Sequence, residues 1–233
     1  MLKELVKNTF FRYFTEETTQ HLPHAIKKNL HVTGFMDKPV PFNAEVFWKE
    51  SWLKLSPKNN WTRLQTLQFN SVEPIGRVSY MKFSSMPISA RDLYWKGYGE
   101  VKGKLLNIFN IIFDNSRETA ISSLIKVFCE FLFIPGYVLS SHVKWEHIND
   151  CLVKATLFDC GIEVTGWFYF DSNGLFNRFE TEDRYFTIKK DEYKKVKFSA
   201  IAESYTCQDD LKVCNKVKSS GIYLKATLNI IKE

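Results

Sequence analysis

One carboxylate lies in the most apolar stretch of the chain, and it is the first candidate for binding or chemistry. Glu130 sits in the segment VFCEFLFIP, among apolar residues and one thiol. A carboxylate buried there must be paired, protonated or exposed at a cavity wall, because burying it unpaired costs several kcal/mol. Arg91 and Lys126 are the cations that we expect to pair with it. Glu130 then either fixes a helix against a sheet or belongs to a polar site.

Nothing in the sequence supports nucleophilic or metal chemistry. The chain contains no G-x-S-x-G elbow, and none of its cysteines has an evident partner histidine. His24 and His31 share a helical face, but residues 25–30 between them add no further metal ligand. We therefore expect no metal and no cofactor.

The five cysteines are an odd number and form no C-x-x-C pair, which favours reduced thiols over a disulfide framework. Cys207 and Cys214 flank the turn in QDDLKV. They would face each other if the turn centred on residues 210–211, whereas a turn at 209–210 would place Cys207 opposite Lys212. The sequence leaves this register open.

Size and charge limit the class of protein. A chain of 233 residues suits one domain. The net charge is +6, but the lysines are scattered in short runs such as Lys194-Lys195, so we expect a solvated basic face and no nucleic-acid partner. No run reaches the ~18 apolar residues of a membrane span. Lys3, Glu4 and Lys7 interrupt the apolar core that a signal peptide needs, so we expect a cytoplasmic protein.

The first 20 residues predict an amphipathic helix. Its apolar residues at helical spacing are Leu2, Leu5, Val6, Phe10 and Phe14. Such a helix can pack on its own domain or lie at a lipid interface, so a peripheral membrane contact through residues 1–14 stays open. A second short helix is predicted in LPHAIKKNLHVTG, with Pro23 in its first turn and Gly34 just past its end.

From Phe42 onward the apolar residues recur with a period of two, which is typical of strands. The predicted strands cover residues 42–49, 64–69, 77–83, 93–105, 153–157, 162–170, 175–179, 196–202 and 222–230. They form an antiparallel meander that is apolar on one face and needs a cover. The predicted cover is a helix over 115–134, with N-cap and capping-box spacing at Asn115 and Glu118. The chain is therefore α+β, with residues 21–233 forming a single domain.

Glycines mark the segment RDLYWKGYGEVKGKLL, which we predict to contain one bent strand over 93–105. Alternation puts Trp95, Gly97, Gly99 and Gly103 on its apolar face and Tyr94 on the other. Missing side chains let a strand bend or let a helix or ligand approach its backbone. The spacing G-x-G-x-x-x-G, without a clear helix start after it, does not fit a phosphate-binding loop.

An ordered set of segments carries a resemblance to a known family. These are LP at a helix start, ISARDLYWKGYGEV, CEFLFIP, WEHINDCLVKATLFDCG and FYFDSNGLFNRFE. Together they cover residues 22–180 and resemble a bacterial domain family of unknown function (DUF6544/DUF6920-like), similar in fold to the LolA/LolB-like lipoprotein carriers and acceptors. The resemblance implies a strongly curved antiparallel sheet, an open half-barrel wrapped around one or two helices, that encloses an apolar cavity. It also implies an association with the cell envelope, although the last fifty residues depart from the pattern.

By this resemblance Arg91, Asp92, Tyr94 and Glu130 occupy motif positions. The predicted ligand-binding residues are Arg91, Asp92, Tyr94, Trp95, Gly97, Gly99, Glu130 and Trp145, the last of which caps the core or lines a cavity mouth.

Three hypotheses on function follow. The first is non-enzymatic binding of a lipid or other apolar small molecule in the cavity. The second is an enzyme with a polar site of Arg91, Asp92, Tyr94 and Glu130 inside that cavity. The third is a scaffold that attaches to a membrane or partner through its basic helix. The identity of the ligand and the oligomeric state are left open.

Overall fold

The computed structural model describes residues 12–54, 59–220 and 222–230, the last stretch as backbone. The helix predicted for the N-terminus lies outside the described residues except for its end. Tyr13 forms an isolated bridge with Pro39, and the buried Phe14 follows in the same non-helical segment. Residues 12–15 are therefore not helical, and within the predicted span of residues 1–20 the structure describes a helix only at Glu16–Thr19.

Helices and strands alternate little along the chain. The described helices are α1 (Glu16–Thr19), α2 (His24–Val32), α3 (Arg117–Cys129) and a 3-10 helix (Pro135–Leu139). The first strands are β1 (Asn43–Leu53), β2 (Thr62–Ser71), β3 (Gly76–Phe83), β4 (Ile88–Trp95), β5 (Tyr98–Leu105) and β6 (Phe109–Asp114). The later strands are β7 (Val143–Asn149), β8 (Leu152–Asp159), β9 (Ile162–Phe170), β10 (Phe176–Lys189), β11 (Glu192–Gln208), β12 (Leu211–Ser219) and β13 (Ile222–Ile230).

The thirteen strands in the described residues belong to one sheet, in the order β6-β5-β4-β3-β2-β1-β13-β12-β11-β10-β9-β8-β7. Each pair is antiparallel, and two meanders meet where β1 pairs with β13. This confirms the predicted antiparallel meander and the α+β class. Helix α3 connects β6 to β7, the two strands at the edges of the sheet.

The sheet curves strongly around helix α3. This helix contacts β4 and β5 in one meander and β9 and β10 in the other. Strands so far apart in the sheet can touch the same helix only if the sheet wraps around it. Where the two meanders approach each other, Tyr94 donates a hydrogen bond to Asp159 at 2.5 Å and Arg117 donates one to the carbonyl of Gly161 at 3.2 Å. The fold is therefore an open half-barrel around a helix, as the sequence resemblance implied.

The strand predicted over 93–105 is a hairpin. Lys96 and Gly97 have φ values of 48° and 79°, the positive values that a tight two-residue turn between twisted strands requires. Residues directly opposite each other in such a pair share a face, and Tyr94 pairs with Gly99. The buried face therefore carries Tyr94 and Gly99 rather than Trp95 and Gly99, so the predicted faces are wrong before the turn.

Helix α3 is shorter than predicted at both ends. Its N-cap is Ser116, one residue after the predicted Asn115, and the Ser116 side chain accepts from the backbone N–H of Thr119. The helix ends at Cys129, and Glu130 is its C-cap. Residues 131–134 are buried and continue in turns up to Pro135, which starts the 3-10 helix. Residues 131–134 are all apolar, so none of them needs to face solvent as one side of an amphipathic helix would. They fill the core in turns instead of extending the helix.

Aromatic rings from the helix and the second meander form the centre of the core. Phe128 packs edge-to-face on Phe131, Phe168 and Phe179 with ring centroids 5.1 to 5.3 Å apart. The ring of Phe131 stacks on Tyr137 at 4.6 Å. Phe128 therefore packs helix α3 against the sheet, which confirms that this helix covers the apolar face of the sheet.

The hairpin between β11 and β12 settles the cysteine register. Its turn lies at residues 209–210, both with positive φ, and Cys207 is opposite Lys212 while Cys214 is opposite Tyr205. All five cysteines are free thiols.

Gly99 tests the close packing of helix α3 on the sheet. A Cβ at this position would lie 2.7 Å from the backbone nitrogen of Ala120 and would overlap its Cα. Because backbone cannot rotate away, we expect Gly99→Ala to lower the free energy of unfolding by about 1–3 kcal/mol, measured by urea denaturation. Gly103→Ala on the same strand meets only the side chain of Ile112 at 3.2 Å and should cost clearly less. Equal costs would contradict this account.

Candidate functional site

Glu130 is buried at the end of helix α3, where it faces the inner side of strands β2 and β3. Its carboxylate accepts hydrogen bonds from Gln68 at 2.9 Å and from Asn70 at 2.8 Å. The guanidinium of Arg77 donates to both its oxygens, at 3.1 and 3.2 Å. The buried carboxylate is thus paired, as predicted, but its cation is Arg77 and not Arg91 or Lys126.

Arg77 on β3 bridges two buried carboxylates. Besides Glu130, it reaches Asp92 on the neighbouring strand β4 at 3.2 Å, and it donates to Gln68 at 2.9 Å. The side chain of Arg77 is 9% exposed, and both carboxylate side chains are similarly shielded. Burial lowers the pKa of Arg77, but Glu130 and Asp92 outweigh that effect and raise it. The guanidinium is therefore held in its charged form.

Asp92 has a second cation from the helix. Lys126 lies 2.5 Å from Asp92, and the hydroxyl of Ser123 donates to the other oxygen at 3.1 Å. Burial works to raise the pKa of Asp92, but the charges of Lys126 and Arg77 outweigh it and lower that pKa from 3.8 to about 2. Burial lowers the pKa of Lys126, and Asp92 opposes that shift only in part. Asp92 is therefore ionised at neutral pH. We name Arg77, Asp92, Lys126 and Glu130 the ionic cluster.

Two of the four predicted polar-site residues lie elsewhere. Arg91 is on the outer face of β4, half-exposed, and pairs with Glu100. Tyr94 is buried and donates to Asp159, and its burial raises the pKa of its hydroxyl. Asp92 and Glu130 are brought together, whereas Arg91 and Tyr94 are not part of the ionic cluster.

The remaining predicted residues support the fold around this site. Trp95 covers Gly76 on the next strand, where a Cβ would lie 2.5 Å from the indole ring. Gly97 forms the hairpin turn, and Gly99 admits helix α3. Trp145 donates to the carbonyl of Val138 at 3.1 Å, and its ring lies 5.4 Å from Phe168, so it packs on the core.

A cavity of about 180 Å³ lies beside the ionic cluster, inside the curve of the sheet. Its wall is mostly apolar and comes from both meanders and from helix α3. The apolar lining includes Trp48, Leu53, Leu64, Met81, Phe133, Phe198 and Val217. Arg77, Asp92, Lys126, Glu130 and Arg184 line it as well, so the ionic cluster forms part of its wall.

Sequence reasoning missed three polar partners in this site: Gln68, Asn70 and Arg77. They lie on strands β2 and β3, where many of the residues that face the interior are polar. The rule that apolar residues face the core therefore assigns the wrong face of these strands to the interior. On β2, Gln68 is 1% exposed whereas its apolar neighbour Leu67 is 48% exposed. The sequence did contain one signal. Thr66, Gln68 and Asn70 are polar residues at alternate positions of one strand, and Glu130 is an acid that needs polar partners. Arg184 was also missed, because nothing near it in the sequence marks it.

Metal-binding groups and the thiol of Cys129 are the remaining candidates for chemistry near this site. No group of three or more His, Cys, Asp or Glu side chains in residues 12–54 and 59–220 could hold a metal ion. Cys129, on the cavity wall, donates to the carbonyl of Lys126 at 3.2 Å, and burial raises the pKa of its thiol. That thiol is protonated at neutral pH and is a weak nucleophile.

The fold and the ionic cluster define a half-barrel protein with an internal cavity, and the family follows from the sequence. The model of a family of unknown function, DUF6544, matches residues 12–226. The chain therefore belongs to this family. The match includes most of the last fifty residues, where the sequence had seemed to depart from the pattern. No curated protein matches the chain.

Among solved structures, the chain is similar to a domain assigned as an outer membrane lipoprotein-sorting protein from Vibrio parahaemolyticus. The two share 13% identity with a TM-score of 0.32, over 80% of this chain and 84% of the other.

Membrane-spanning helices are absent from the part of the chain that the structure describes. None of its helices has both the length and the apolar composition to cross a bilayer.

Glu130→Gln tests the pairing inside the ionic cluster. The amide keeps the shape but leaves Arg77 with one carboxylate, and its NH₂ group meets the donors of Gln68 and Asn70. We expect the free energy of unfolding in urea to fall by about 3 kcal/mol. As a control, Glu146→Gln breaks a half-exposed pair with Lys154 and should change stability by less than about 1 kcal/mol. Equal stability of Glu130→Gln and the wild type would contradict a structural pairing.

Asp92 makes the free energy of unfolding depend on pH in the acidic range. Its folded pKa of about 2 lies below the ordinary value of 3.8, so its contribution is fully present above about pH 4 and is lost as pH falls through 2. The shift corresponds to about 2 kcal/mol. We expect the difference in unfolding free energy between the wild type and Asp92→Asn to shrink by this amount between pH 5 and pH 2, measured by urea denaturation. A difference that stays constant over this range would refute the assignment.

Proposed function

We propose that this protein binds an apolar small molecule, a lipid or an acyl chain, in the cavity between helix α3 and the curved sheet. The observation that carries the proposal is a mostly apolar cavity of about 180 Å³ that is lined by helix α3 and both meanders. Apolar cavities of about 150 Å³ hold molecules the size of benzene. Each methylene buried there contributes about 0.8 kcal/mol, so a short chain gains affinity without a catalytic group.

A surface cleft adjoins the cavity. The cleft has a volume of about 760 Å³, and it shares Val101, Lys126 and Arg184 with the cavity wall. Its other lining residues come from β6, from the first turns of helix α3 and from the β10–β11 hairpin, and they include Ile111, Phe113 and Tyr193. Phe113 is 54% exposed and Ile111 is 47% exposed. A chain longer than the cavity can therefore continue along apolar side chains outside it.

The positions of the polar residues favour binding over catalysis. The enzyme hypothesis needs Arg91, Asp92, Tyr94 and Glu130 around one substrate. Arg91 faces outward with Glu100, and Tyr94 is held by Asp159. Asp92 and Glu130 are both neutralised by Arg77, which leaves neither carboxylate as a free acid or base. The membrane-attachment hypothesis depends on residues 1–14, most of which lie outside the described residues, and it stays a prediction.

Filling the cavity tests the proposal. Ala200 on β11 lines the cavity and is 1% exposed. We expect Ala200→Phe to occupy the space of the ligand and to weaken the binding of 1-octanol at least tenfold, measured by isothermal titration calorimetry. Native mass spectrometry should show that any apolar molecule that co-purifies with the wild type is lost in the variant.

The matched control is Ile201→Phe, on the same strand but on its outer face, where the side chain is 39% exposed. This variant should bind 1-octanol as the wild type does. Thermal melts of both variants check that they fold. A wild-type protein that binds no 1-octanol and carries no co-purified apolar molecule would overturn the proposal.

A further inference from the structure

Arg184 on β10 is a partly buried cation that takes no carboxylate from the ionic cluster. It lies on the wall of the cavity and also on the wall of the cleft. Its guanidinium carbon is 4.5 Å from the ring centroid of Phe198. Its Nη1 is shielded from solvent and has no hydrogen-bond partner among the described residues. A guanidinium in this position has donors to offer and nothing in the described protein to accept from it.

The charges around the cavity are unequal. Its lining contains the three cations Arg77, Lys126 and Arg184 but only the two carboxylates Asp92 and Glu130. Arg77 takes both carboxylates and Lys126 takes Asp92, as the ion pairs show. One positive charge is left over at Arg184. Burial lowers the pKa of Arg184, although Asp92 opposes that shift, which fits a cation short of partners.

A structural role does not explain this arrangement. A cation over an aromatic ring is attracted to it but gains no acceptor for its N–H groups. A donor atom that is shielded from solvent and has no acceptor, as Nη1 is, costs free energy in the empty protein. This cost is removed when a ligand in the cavity supplies a hydrogen-bond acceptor for the guanidinium of Arg184. An anionic group does this, because the guanidinium fork matches carboxylate and phosphate oxygens.

We infer that the ligand is an amphiphile with one apolar chain and an anionic head group, a carboxylate or a phosphate, and that Arg184 binds the head group. This inference rests on the proposed function. Arg184 lies where the cavity meets the cleft, so the head group is placed at the junction. The chain then lies among the apolar side chains of the cavity, which include Leu53, Leu64 and Met81.

The test compares three ligands of equal chain length by isothermal titration calorimetry: octanoate, octyl phosphate and neutral 1-octanol. We expect the wild type to bind at least one of the two anions about tenfold or more tightly than 1-octanol, because charged hydrogen bonds are worth at least that factor. The anion that binds more tightly identifies the head group. In Arg184→Met, this advantage should disappear while the affinity for 1-octanol stays within about twofold of the wild type. Because Met removes an unpaired charge, the melting temperature of the ligand-free variant should not fall.

Arg178→Met is the matched control. Arg178 lies on the same strand and over the ring of Tyr169 at 4.1 Å, but it pairs with Glu180 away from the cavity. This variant should keep the preference for the anion. Arg184→Lys keeps the positive charge but lacks the two parallel donors of the guanidinium, so it should retain part of the preference for the anion. It replaces Arg184→Met as the test if that variant does not fold.

Two results overturn the inference while the proposed function stands. One is equal affinity of the wild type for all three ligands, and the other is a preference for the anion that survives in Arg184→Met. If the wild type binds none of the three, the proposed function fails together with the inference.

Discussion

The pairing of Arg77 with two buried carboxylates is the interaction on which the rest of the structure depends. Glu130 closes helix α3 and Asp92 belongs to β4, so a single guanidinium joins the end of the helix to the sheet. None of these charges tolerates burial without its partner, which excludes arrangements that move the helix away from the inner face of the sheet. Lys126 adds a second link from the same helix to Asp92. The curvature of the sheet and the place of the cavity both follow from this anchored helix.

The ionic cluster and the cavity share a wall, and the charges on that wall are of two kinds. Arg77, Lys126, Asp92 and Glu130 satisfy one another, so they stabilise the half-barrel without a ligand. Arg184 lines the same cavity but takes no carboxylate from the cluster. Apolar surface supplies affinity without selecting a particular chain, whereas one unpaired guanidinium selects for charge. A binding protein built in this way would recognise a class of amphiphiles rather than a single molecule.

Much of the fold could be predicted from the pattern of residues, and the errors have local causes. Strands with an apolar inner face, such as β8 and β9, were predicted close to their observed bounds. The hairpin over β4 and β5 was predicted as one strand, because Lys96 and Gly97 make a turn without interrupting the alternation on either side. A two-residue turn reverses the chain and changes which residues share a face. Tyr94 and Trp95 were therefore assigned to the wrong sides.

The residue pattern alone indicates that Glu130 needs a partner and that an antiparallel sheet packs against an apolar helix, whereas Asp92 and the strong curvature of the sheet were expected from the family resemblance. An acid amid apolar residues needs a partner whatever the fold, and alternation of period two commits the chain to strands. The cation that pairs with Glu130 depends on the folded chain, because Arg77 lies 53 positions away and the local residue pattern carries no information over that separation. The same holds for Arg184 at the cavity. Pairing of buried charges is a property of packed surfaces, and those surfaces exist only once the sheet has wrapped around the helix.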